Sequence, residues 1–183
     1  MRRPLPAAVP VLVAAALAAA GCSGEPDARP DLQPAVLPVI DRHLEENPDF
    51  RGMLADRDST WFCSEHVIEI REQPGKLLVG LMATCDEYVE LDGALGAGSG
   101  YRGPKLVTVR DEDGSYAVES VQSAEDGDGY RASVDRMFTE EGAGAVLDHE
   151  SHELENNTVA AKIAFGLPPD APVVPGQLAE GQR

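Results

Sequence analysis

Between residues 34 and 46 the apolar side chains Val36, Leu37, Ile40 and Leu44 recur at the interval of one helical face, and Asn47-Pro48 follows as a stop. Pro38 fits that helix only in its first turn, where a missing N–H is not needed. Phe50, Met53 and Leu54 predict a short second turn packed beneath it. The pattern then becomes extended. TWFCSEHVIEI and KLLVGLMATCDEYVEL are rich in β-branched, aromatic and aliphatic residues and flank Gln73-Pro74-Gly75, which predicts a hairpin. KLVTVRD and SYAVESV predict a second hairpin about Glu112-Asp113-Gly114, since Asp-Gly accepts positive φ. GALGAGSGYRGP, between the two hairpins, reads as a flexible loop.

Helical spacing returns after EDGDGY with Val134, Met137 and Phe138, then Val146 and Leu147, then Val159, Ile163 and Leu167; Gly142 and Gly144 are expected to interrupt it. Helix, strands in succession, then helices is the order of an α+β domain. The expected architecture is a four-stranded antiparallel sheet packed by one face on N- and C-terminal helices, with a cystatin-like or NTF2-like shape by fold analogy. The run Gly103-Pro104, Asp113-Gly114-x-Tyr116, Asp128-Gly129-Tyr130 and Val134-x-x-Met137-Phe138 is similar to a pattern in uncharacterised exported bacterial proteins. That resemblance covers part of the chain and implies an α+β fold without an activity.

The chain opens MRRPLPAAVPVLVAAALAAAGCSGEPD. Arg2 and Arg3 precede an apolar run ending in small residues, the order of a secretory signal. The run is too short and too interrupted by Pro4, Pro6 and Pro10 for a permanent span. Ala19-Ala20-Gly21-Cys22 resembles the lipobox of bacterial lipoproteins, although Ala19 stands where that family most often has leucine. The resemblance implies that Cys22 receives a diacylglyceryl group and becomes the first residue of the mature chain. It also accounts for an odd cysteine in an exported protein. Ordinary cleavage after Ala18-x-Ala20 is the competing reading and would release a soluble protein. Residues 1–21 are thus expected to be a signal peptide, 22–31 a lipidated tether, 32–167 one α+β domain and 168–183 a disordered tail. The place of work is the extracytoplasmic face of the cell membrane, reached through lipid on Cys22.

Charge narrows the partners. Removing residues 1–21 takes away two arginines and no acid, so a net charge of −17 becomes −19. Such a chain repels nucleic acid and anionic headgroups, which excludes nucleic acid as the expected partner. The remaining cysteines, Cys63 and Cys85, fall opposite each other if the first hairpin turns about Pro74, so a disulfide is expected there.

Candidate chemistry is thin. Gly98-Ser99-Gly100-Tyr101-Arg102-Gly103 has the letters of a dinucleotide loop, but Pro104 and a strand follow where a helix N-terminus is needed. His149-Glu150-Ser151-His152-Glu153 sets His149 and His152 three apart, a candidate metal pair without a third ligand; the bland reading is a solvated acidic helix. Asp126-Gly127-Asp128-Gly129 resembles a fragment of a calcium loop, with a plain turn as the alternative. Trp61, Phe62 and Tyr88 read as sheet packing. No cofactor motif emerges. A non-enzymatic binding or interaction module with a protein or peptide partner in the envelope is the preferred reading. An envelope hydrolase, with His66 near Glu65 or Asp86, and a structural envelope lipoprotein are the alternatives.

Overall fold

A computed structural model describes residues 26–48, 51–148 and 157–177. The element order is α1 (Gln33–Glu46), β1 (Thr60–Gln73), β2 (Lys76–Leu91), β3 (Ala94–Glu112), β4 (Ser115–Ser123), α2 (Tyr130–Met137), α3 (Glu140–Asp148), α4 (Thr158–Ala164) and β5 (Val173–Pro175). The fold is α+β. β1 to β4 form an antiparallel meander, and β5 pairs in parallel with the start of β3, so the sheet is mixed and has five strands rather than four.

Alternation along the strands distributes the apolar residues to two faces. Val67, Leu81 and Val107 belong to one core with Val36, Ile40 and Leu44 of α1. Their neighbours Ile68, Met82 and Leu106 pack with Val134, Met137 and Phe138 and with Val146 of α3. Phe62, Tyr88 and Leu95 pack with Ala161 of α4 and with Phe165. Helices therefore cover both sheet faces, giving three layers where one covered face is expected from sequence.

Several local expectations are corrected. Pro38 lies inside α1 beyond the first turn, yet it is exposed, and so is Pro34, whose carbonyl loses its partner and can be solvated. Leu54 is buried near Gly98 and Gly176 rather than under α1; Phe50 lies outside the described residues. Gly142 and Gly144 sit within α3, and the helical run breaks earlier, at Phe138, whose backbone is extended. On α4 the buried residue is Ala161, while Val159 and Ile163 are 64% and 74% exposed.

GALGAGSGYRGP is strand, not loop, because a two-residue turn at Asp92-Gly93, with φ of 48° and 87°, returns the chain directly into β3. Gly96, Gly98 and Gly100 are demanded by close approach. A Cβ on Gly98 would lie 2.5 Å from the Glu87 carboxylate and 2.7 Å from Leu54.

The domain also exceeds the bounds 32–167. Asp27 accepts a hydrogen bond from the Ile70 N–H, so part of the expected tether is docked on β1. Ala171 is buried, the Leu95 N–H donates to Pro172, and 173–175 form β5, so the start of the expected tail belongs to the sheet.

Candidate functional site

The disulfide is present: Cys63 and Cys85 are bonded, with Cα atoms 4.1 Å apart. The register that brings them together has two parts. Gln73 pairs with Lys76 across a Pro74-Gly75 turn, one residue out of phase with a turn centred on Pro74. A bulge at Ile68, between Val67 and Glu69, then shifts the pairing by one and restores Cys63 opposite Cys85. The pairing expected from sequence is correct, but two local departures that cancel produce it.

Cys22, His149 and His152 lie outside the described residues. Among the described residues no group of three or more His, Cys, Asp or Glu is placed to hold a metal ion. Asp126 leads into a 3₁₀ turn, Gly127–Gly129, that enters α2. His66 pairs with Met82, and Asp86 sits opposite Phe62, four residues along β1. At about 3.3 Å per residue that is roughly 13 Å away, and adjacent Glu65 projects to the other face, so the three do not converge. Trp61, Phe62 and Tyr88 are buried; Phe62 meets Phe165 edge-on at 5.8 Å.

Polar groups in the interior show what the sequence pattern missed. Glu87 is 1% exposed; its carboxylate accepts from the Leu54 N–H and Ser99 N–H at 3.1 Å and from the Ser59 hydroxyl at 2.9 Å. Glu69, also buried, accepts from the Thr139 N–H at the start of α3 and pairs with Arg71 at 3.1 Å. A carboxylate is favoured at that helix end by the unpaired N–H groups. Gly52 and Gly98 leave room for the first carboxylate and Gly142 for the second. The sequence signal was slight: a glutamate inside an apolar strand, with a distant glycine as its complement.

On the α1 side, Glu65 faces Asp41 and Glu45. Burial, with the like charges of Asp41 and Glu45 adding to it, pushes the Glu65 carboxyl up to about 8. Burial also raises Asp41, and raises Glu45 although the Cys63 N–H donates to it at 3.2 Å.

At the edge of the sheet beside β3 lies an open cleft of about 270 Å³ lined by Tyr101, Arg102, Lys105, Ser123, Asp126 and Tyr130, among others, with Tyr101 and Lys105 on the α1 face and Arg102 on the other. β3 and the end of β4 form one wall, and the turn into α2 supplies the other. Lys105 is 2% exposed, donates to Ser123 Oγ at 2.9 Å and lies 4.4 Å over the Tyr101 ring, an arrangement that offsets the cost of burying an ammonium. Arg102 donates from Nε to Thr84 Oγ1 at 3.1 Å while remaining exposed. Two cations and two phenol rings thus meet at one place on a strongly acidic chain, an arrangement suited to holding a polar or anionic group against an aromatic wall. Compared with known proteins, the chain matches no family model, no curated protein and no solved structure.

Proposed function

We propose that this is a lipid-anchored extracytoplasmic protein that acts as a non-enzymatic binding module, with the cleft beside β3 as its recognition site. The carrying observation is the meeting of Arg102, Lys105, Tyr101 and Tyr130 around about 270 Å³ on a chain whose net charge is −17. Buried Glu69 and Glu87 act as acceptors for backbone N–H groups, which assigns them to structure. The lipobox-like Ala19-Ala20-Gly21-Cys22 supports the anchor. The Cys63–Cys85 bridge is consistent with an oxidising compartment. α1 lying across the antiparallel meander supports a cystatin-like reading of that layer, elaborated by the helices on the other face.

The test uses the chain with Cys22→Ser, immobilised and exposed to envelope extract. A partner held by this protein and released by Arg102→Glu is the expected result. Salt should weaken the contact, because the proposed recognition includes exposed charge. Equal recovery by both proteins would place binding elsewhere, and turnover of an envelope substrate would replace the reading with an enzymatic one.

A further inference from the structure

We infer that the open edge of β3 over residues 100–103 accepts an extended peptide as an added strand, with an acidic side chain of that peptide beside Arg102. This deepens the binding-module reading and rests on it. β4 leaves β3 at the Lys105–Ser123 pair, and β5 leaves it at Ala97–Pro175. Between those points β3 is paired only with β2 among the described residues. Ser99 gives its N–H to Glu87 and its hydroxyl accepts from the Met53 N–H, and the Pro104 carbonyl accepts from Ala124, so the part left open is 100–103, about 13 Å at 3.3 Å per residue.

The direction of the backbone groups follows from the ladder. The Cys63 N–H turns away from β2 to Glu45, so Cys63 and Cys85 are a non-hydrogen-bonded pair and the backbone groups of Cys85 point toward β3. Tyr101, opposite Cys85, therefore points its groups inward, and Gly100 and Arg102 point theirs outward. Pro104 agrees with this phase: it needs no outward N–H, and its carbonyl accepts from Ala124. Gly100 and Arg102 are the two exposed residues in the gap. Four adjacent main-chain groups are thus presented in the spacing that an incoming strand matches.

Natural edges are usually blunted by lysine, proline, bulges or covering segments. Here a bulge and proline bound the gap, and its centre, Gly100-Tyr101-Arg102-Gly103, has glycine at both ends, which lets another backbone approach closely. Arg102 makes no ion pair within the described residues, and its exposed guanidinium selects a carboxylate on the peptide. The cleft at the Lys105 end receives the peptide's terminal side chain against Tyr101 and Tyr130.

The probe is a set of synthetic octapeptides alternating Val, Thr or Ile with Glu, added to the full mature chain carrying Cys22→Ser. Amide exchange at Gly100 and Arg102 should slow tenfold or more, while the inward Tyr101 amide stays unchanged. Methylating alternate peptide nitrogens should weaken binding at least tenfold, and Arg102→Gln should weaken it severalfold; the methylated peptides need no protein variant to fold. Equal binding by methylated peptides, or no peptide protecting Gly100 and Arg102, overturns strand addition. If in the latter case the Arg102-sensitive envelope partner is still captured, the binding-module reading survives alone. Two further results overturn the inference by naming another occupant. One is slow exchange in the free chain that quickens when residues 178–183 are removed, and the other is protection that grows with protein concentration as dimers form.

Discussion

The two edges of the central sheet are finished in opposite ways. Along β1, two outward amides have partners from elsewhere in the chain: Glu45 of α1 takes the Cys63 N–H, and the Asp27 carbonyl takes the Ile70 N–H. Arg29 reaches over to Glu72 at the same edge. Along the middle of β3, Gly100 and Arg102 are exposed, and the covering strands stop on either side. An unpaired strand edge attracts other strands, and at Gly100 and Arg102 β3 exposes its backbone where Cys63 and Ile70 of β1 have theirs occupied. In the proposed reading, the β1 edge serves stability and the β3 edge recognition.

That division can be broken by mutation, most strongly beneath the β3 gap. Glu87→Ala should cost on the order of 4 kcal/mol in urea unfolding, because the buried Leu54 and Ser99 amides lose their acceptor. A change below about 1 kcal/mol would mean that water replaces the carboxylate and that this end of the sheet is less closed than its burial indicates.

Removing the bridge by Cys63→Ala with Cys85→Ala should cost roughly 3 kcal/mol by loop-entropy arithmetic over a sequence separation of 22. The Gly100 and Arg102 amides point away from β2 and Cys85, so their exchange should stay as fast as before. Slowing there would tie the two edges together.

The smallest effect is electrostatic and depends on pH. Glu65 has a folded value of about 8 against an ordinary 4.5, so the folded state holds its proton more tightly than the unfolded chain does. Stability from this group is fully present below pH 4.5 and is lost as pH rises toward 8. Glu65→Gln, which stays neutral, should raise the thermal midpoint at pH 8 and change it little at pH 4. A uniform shift at both values would show that packing, not charge, governs the α1 interface.

Much of the fold was legible because it depends on local pattern. The face Val36, Ile40 and Leu44 defined α1, runs of β-branched, aromatic and aliphatic residues defined β1, β2, β4 and the second half of β3, and Asp113-Gly114 defined a turn whose φ values are 54° and 86°. Composition misled at the first half of β3. Gly96, Gly98 and Gly100 carry no β propensity and read as loop, whereas they are strand because Leu91, Leu54, Glu87 and Asp86 occupy the space their side chains would fill. The candidate site was hidden for the same reason. An open edge is a property of which strands pair and where they stop, and no residue in Gly100-Tyr101-Arg102-Gly103 announces it.

The sequence by itself determined what near neighbours decide: helical and extended segments, the Asp113-Gly114 turn, the acidic balance and the lipobox-like start. Tertiary structure decided what distant segments decide together. Residues 173–175 became a parallel strand because Leu95–Ala97 offered them an edge, Glu87 became a buried acceptor because Leu54 and Ser99 arrived with N–H groups, and compensation by the Ile68 bulge aligned Cys63 with Cys85. Each joins residues remote in sequence whose polar groups must be paired once water is excluded, and that requirement acts only after the chain has brought them into contact.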